Sequence, residues 1–218
     1  MIETETYVLE TLTDSELDRI SKRMASGAIA VFATDTVYGI GCSASCPAAV
    51  TRVFAVKHRD ASKPLPIFVP TLETSLTWID QASHTTFRRL AQAFWPGALT
   101  IVSDVVRPGL YTRPEPVTTA TVAGFRVPRH AGLLRLLSEG LLLAQTSFNE
   151  SGEPVLDTLT SPGAAKLLVQ ADFILDSRQR PLGRPSTVIR VSAGSWSILR
   201  EGSISAGEIA SVIGAEEG

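Results

Sequence analysis

Two stretches of this chain pass abruptly from apolar residues to groups that could do chemistry. Leu141 to Gly152 reads LLLAQTSFNESG, and its apolar start gives way to Gln145, Thr146, Ser147 and Asn149. Ala28 to Ala33, AIAVFA, runs in the same way into Thr34-Asp35-Thr36-Val37-Tyr38-Gly39. Ser186, Thr187 and Arg200 place further hydroxyls and a guanidinium at the limits of apolar runs. Lys57, His58, Arg59 and Lys63 lie within seven residues of one another. Hydroxyls together with several Lys or Arg suit a polyanionic ligand, because ammonium and guanidinium groups form charge-assisted bonds to phosphate and carboxylate. Lys57 and Arg59 have a second reading, since cations near a helix C-terminus stabilise the helix. Arg126 interrupts an apolar run, so it must reach solvent or meet an anion.

Other chemistries are missing. The chain has no GxxxxGK[ST] loop, no GxGxxG fingerprint, no nucleophile elbow and no paired-histidine metal motif. Cys42 and Cys46, in GCSASC, are too few ligands for a structural zinc site, and His58, His84 and His130 are scattered. Free thiols in a reducing compartment are expected.

These residues must be positioned by strands alternating with helices. Helices are expected after Thr13-Asp14, with Leu17, Ile20 and Met24 on one face, and over Pro47–Val56, Leu72–Trp78, His84–Phe94, Ala131–Glu139, Ser161–Val169 (Pro162 in its first turn) and Ile204–Ile213. Strands are expected over 28–33, 65–69, 98–102, 119–127, 141–144 and 173–175. Ser186–Val191 and Trp196–Leu199 read as an antiparallel pair. Asp104–Thr118 reads as a long surface loop, and Gly152 with Pro154 as a stiffened turn. The expectation is an α/β fold with a twisted mixed sheet flanked by helices, its ligand in the crevice at the strand ends.

At 218 residues, 44% hydrophobic and 19% charged, the composition is that of an ordinary globular protein. A formal charge of −2 argues against binding nucleic acid by bulk charge. No apolar run approaches the ~18 residues of a membrane span, and MIETETYVLE lacks the pattern of a signal peptide, so a cytoplasmic location is expected.

Eight segments, in order from residue 34 to residue 202, resemble the YrdC/TsaC family of L-threonylcarbamoyladenylate synthases. They are Thr34–Gly39, Lys57-His58-Arg59, Lys63-Pro64-Leu65, Pro96–Thr100, Arg126-Val127-Pro128, Thr146–Asn149, Ser186-Thr187-Val188 and Leu199–Gly202. The resemblance implies one YrdC-like domain over 1–218, the single-domain form. It also implies formation of threonylcarbamoyl-AMP and pyrophosphate from ATP, L-threonine and bicarbonate, with Mg2+ accompanying ATP and no protein-held metal. The product would pass to a threonylcarbamoyl-transferase complex for the N6-threonylcarbamoyladenosine modification of tRNA.

By the same resemblance Lys57, Arg59, Ser147 and Asn149 form the family's KxR…SxN catalytic tetrad. Arg59, Lys63, Ser147 and Arg200 would contact ATP. Thr36, Arg126 and Ser186 would hold threonine, with backbone help near Gln145. The chain departs from the family pattern at His58 and Phe148, where glycine and a small residue are usual, and at Val155. A double-stranded RNA or tRNA-binding module and a related carbamoyl-transfer enzyme are the competing readings.

Overall fold

The computed structural model describes residues 4–116, 119–150, 153, 156, 158–161 and 163–214. Val155, Gly152, Pro154, Pro162 and the end of the 104–118 segment lie outside the described residues.

Helix formation follows local rules. Thr13 caps α1 (Asp14–Ala25) in a reciprocal capping box with Glu16, and Leu17, Ile20 and Met24 are its buried face. Pro47 opens α2 (Pro47–Lys57), and His58 closes it in the left-handed conformation at φ 49°. The remaining helices are α3 (Leu72–Leu76), α4 (His84–Phe94), α5 (Ala131–Ser138), α6 (Ala164–Leu168) and α7 (Ala206–Ile213).

The strands are β1 (Glu5–Val8), β2 (Ala30–Phe32), β3 (Gly39–Ser43), β4 (Ile67–Phe68), β5 (Leu99–Asp104), β6 (Val122–Arg126), β7 (Leu143–Ser147), β8 (Phe173–Asp176), β9 (Thr187–Ser192) and β10 (Ser195–Arg200). They form one ten-stranded sheet in the order β1-β8-β2-β3-β7-β4-β6-β5-β9-β10. Parallel pairs (β1–β8, β2–β8, β4–β6, β5–β9) mix with antiparallel ones, as expected.

The sheet separates two cores. Alternation along β7 sends Ala144 to the larger core, with Val50, Val53 and Phe54 of α2 and Phe87 and Leu90 of α4. Leu143 faces the smaller core with Phe32, Phe68 and Phe173, under α1 and α5. Alternation therefore puts Gln145, Ser147, Gly124, Arg126 and Thr100 on that second face too, because Ala144, Phe125, Leu99 and Ile101 belong to the first core. The apolar end of the second face is roofed by helices; its other end is polar.

Three expectations are corrected. Gln145, Thr146 and Ser147 lie within β7 rather than in a loop after a strand ending at Ala144. The 104–118 segment is not simply a surface loop. Leu110 and Thr112 are buried, Tyr111 N donates to Ala44 O at 2.8 Å, and Leu65 N donates to Thr112 O at 2.7 Å. Two strands are additions to the expected set, β1 and β3. In β3 the glycines allow close approach: a Cβ on Gly41 would lie 2.4 Å from Ala144 O, and one on Gly39 2.7 Å from the Phe32 ring.

Candidate active site

The polar residues do not share one sheet edge, as the strand-end reading expected. The pairings run β2, β7, β5 and β9 one way and β3, β4, β6 and β10 the other. Thr36 follows β2 and Ser147 ends β7, whereas Arg126 and Arg200 end strands of the opposite direction. Right-handed twist brings them together. Four steps separate β2 from β6, and at 20–25° a step the strands are turned by roughly 90°. The 33–38 connection then crosses to the end of β6.

Arg126 is the clearest meeting point. It is 2% exposed, so the solvated-face alternative is excluded. Its Nη2 donates to Asp35 Oδ1 at 2.6 Å, Nη1 to Thr36 Oγ1 at 2.9 Å and Nε to Gly97 O at 2.8 Å. Its guanidinium stacks 5.3 Å over Phe68. Asp35 is the anion that a buried arginine requires. Thr34 shapes the same connection, accepting from Thr36 N at 3.0 Å and Val37 N at 3.2 Å while donating to Val37 O at 2.6 Å.

Lys57 lies at the end of α2 but does not cap it. Its ammonium is buried and donates to Ser147 O and, at 3.0 Å, to Asn149 Oδ1. Ser147 Oγ donates to the same Oδ1 at 2.6 Å. Three of the four tetrad residues thus form one connected group. Burial, helped by the Arg59 charge, lowers the Lys57 pKa to about 7. Arg59 completes the group from the side: Nη1 donates to Thr146 Oγ1 at 3.2 Å, Nε to Lys63 O at 2.9 Å and Nη2 to Pro64 O at 3.2 Å.

The two departures at described positions do not disturb this group. Phe148 is fully buried in the larger core, and His58 is exposed. His58 occupies the left-handed position that glycine adopts without penalty.

Ser186 and Arg200 meet on the far side. Arg200 Nη2 donates to Ser186 O at 2.8 Å, and Ser186 Oγ lies 2.9 Å from Thr100 Oγ1. Gly202 is packed against the Pro185 and Ser186 backbone, where a Cβ would come within 2.3 Å of Pro185 O. Burial and then the Arg200 charge lower the pKa of Arg59; Arg126 is lowered by burial and, despite Asp35, by Arg200 as well. Arg200 acts on both Arg59 and Arg126, and three guanidiniums so placed make a site disposed to take an anion.

Two expected residues are less engaged. The Lys63 side chain is exposed, and only its carbonyl is bonded to the site. Backbone help was expected near Gln145; its own N–H is committed to Pro66 O at 2.9 Å, while its side chain faces Gly39. Sequence reasoning did not assign roles to Asp35, Thr100 and Thr146. For Asp35 the signal was an acid between two hydroxyls after a buried strand, in a chain with an arginine inside another strand.

Comparison with known proteins bears on this geometry. The Sua5_yciO_yrdC family model, described as "Telomere recombination", matches residues 22–202. A threonylcarbamoyl-AMP synthase of Pyrococcus abyssi is 35% identical over 195 residues, covering 86% of this chain and 54% of that protein. The chain therefore spans about half the length of that relative. A threonylcarbamoyl-AMP synthase of Chromohalobacter salexigens is 30% identical over 182 residues, covering 81% of this chain and 95% of that one. The structure of P. abyssi Sua5 complexed with L-threonine superposes with a TM-score of 0.79 at 26% identity, covering 96% of this chain and 60% of that one.

Proposed function

The chain belongs to the Sua5/YciO/YrdC family, and from that membership we propose that it forms L-threonylcarbamoyl-AMP and pyrophosphate from ATP, L-threonine and bicarbonate. The observation that carries the reading is the convergence of the linked Lys57–Asn149–Ser147 group with Arg59, Arg126 and Arg200. In this reading the threonine amine adds to carbon dioxide drawn from bicarbonate and loses a proton, giving a carbamate. A carbamate oxygen attacks the α-phosphorus of ATP, and the bond to the β-phosphate breaks to release pyrophosphate. Two anions must approach, so cations have to screen their repulsion. Arg59, Lys63 and Arg200 take the triphosphate, and Arg126 the threonine carboxylate. Thr36 and Ser186 contribute neutral hydrogen bonds, and Gln145 lines the site. Lys57 and Asn149 hold the turn that presents Ser147.

Magnesium would supply further charge neutralisation on the phosphates. Among the described residues no group of three or more His, Cys, Asp or Glu is placed to hold a metal ion. In this reading phosphate oxygens and water would hold the ion. We read the chain as one YrdC-like domain acting in the cytoplasm, its product passed to a transferase complex that modifies tRNA. No described helix is long and apolar enough to cross a membrane.

The test is pyrophosphate release, which should require both threonine and bicarbonate. Release that is equally fast with threonine omitted would count against the assignment.

A further inference from the structure

Thr100 lies on β5 between Leu99 and Ile101, which point into the larger core. Its own side chain is on the second face and is 1% exposed. Its hydroxyl has one hydrogen-bond partner among the described residues, Ser186 Oγ at 2.9 Å. A buried hydroxyl proton without an acceptor costs about 1–3 kcal/mol. Thr100 therefore donates, and Ser186 accepts. Ser186 Oγ is also 3.5 Å from Arg200 Nη2, which can only donate. With Thr100 and Arg200 both offering donors to Ser186 Oγ, the Ser186 proton has no acceptor among the described residues and is free for a ligand oxygen.

The methyl of Thr100 fixes this arrangement. A Cβ on Gly124 would lie 3.0 Å from Thr100 Cγ2 and 3.3 Å from Val102 Cγ2. The space left by that glycine receives the methyl and keeps the hydroxyl turned to Ser186.

We propose that Thr100 is a positioning residue for the amino-acid subsite, which makes Ser186 an obligate donor to an oxygen of the bound amino acid. The proposal rests on the reading of Ser186 as a threonine contact. Thr100 would touch no substrate itself and act only through Ser186.

The test measures threonine binding by calorimetry and threonine KM for four variants: Thr100→Val, Thr100→Ser, Ser186→Ala and the Thr100→Val/Ser186→Ala double variant. Valine keeps the β-branched shape and the methyl and removes the donor. Thr100→Val should weaken threonine about three- to tenfold, the range expected for one neutral hydrogen bond, with ATP KM unchanged. Thr100→Ser, which keeps the donor but lacks the methyl that orients it, should weaken threonine less than Thr100→Val does. The double variant should be no worse than Ser186→Ala, because coupled residues are not additive. Wild-type binding by Thr100→Val beside an impaired Ser186→Ala would overturn the proposal, as would a double variant that multiplies the two losses. Wild-type threonine binding by Ser186→Ala would instead overturn the underlying contact, and the positioning role with it.

Discussion

Arg126 holds three partners at once, and each constrains what it offers a ligand. Nε, one N–H of Nη1 and one of Nη2 are taken by Gly97, Thr36 and Asp35. A guanidinium carries five N–H donors, so one remains on each terminal nitrogen. That is enough for a carboxylate, but lysine could not serve Gly97, Asp35 and a ligand in the same geometry. Arg126→Lys should raise the threonine constant about tenfold, or roughly 1.4 kcal/mol, and also lower the melting temperature, since Asp35 is left with a poorer partner. Asp35→Asn should cost about 3 kcal/mol of stability, the scale for breaking a buried pair. A threonine titration of Arg126→Lys that overlays the wild type would remove Arg126 from the amino-acid subsite. Lys57 gives a pH prediction of definite sign. Its pKa falls to about 7 in the folded protein, so the fold releases a proton from it between pH 7 and the ordinary lysine range. The Lys57 contribution to stability therefore rises with pH across that window. A bound polyphosphate favours the ammonium form, so ATP affinity should fall as pH rises from about 7 to 9. Lys57→Arg, charged throughout, should flatten the ATP profile; a wild-type profile already flat over that window would contradict the role.

At the scale of elements, legibility depended on how local the cause was. The start of α1 after Thr13-Asp14, the proline start of α2 and the β9–β10 hairpin are set by neighbours in sequence, and all were readable. β3 was not, because its glycines hide a strand that pairs with the neighbouring β2 and with β7, about a hundred residues later. β1 is four residues with one buried side chain, and its pairing with Phe173–Asp176 leaves no local trace. The same distinction governs the site. Lys57, Arg59, Ser147 and Asn149 were grouped through the family resemblance, but the Asp35–Arg126 pair spans 91 positions and depends on sheet twist. His58 shows a local departure that the structure explains. At φ 49° an L-residue is strained by about 1–2 kcal/mol. His58→Gly should keep or slightly raise the melting temperature, despite the added entropy of the unfolded chain. His58→Val, β-branched at that position, should lower stability by about 1–2 kcal/mol. Equal melting temperatures for the glycine and valine variants would show that the left-handed cap contributes nothing measurable.

For the whole molecule, the net charge and the site have opposite signs. The chain carries −2 overall, yet the Arg200 charge acts on both Arg59 and Arg126, the Arg59 charge acts on Lys57, and Arg59 bonds the Lys63 carbonyl. Several of the negative charges that offset them lie elsewhere: Glu5 pairs with Arg19 and Arg23, Asp18 with Lys22, and Asp172 with Arg52. In the proposed reading ATP, a polyanion, would thus be attracted locally by a protein that is weakly repulsive at long range. Screening acts strongly on exposed charges, with a Debye length of about 8 Å at physiological ionic strength and about 3 Å at 1 M. Lys63 is exposed, so its share should be lost first. Threonine is a zwitterion with no net charge, and its proposed partner Arg126 is buried, so salt should affect it much less. Raising NaCl from 50 mM to 500 mM should weaken ATP several-fold and change threonine binding by less than about twofold. Lys63→Ala should reduce the salt slope for ATP and leave that for threonine alone. Equal salt dependence for the two ligands would contradict this division of the site into a partly exposed polyanion subsite and a buried amino-acid subsite.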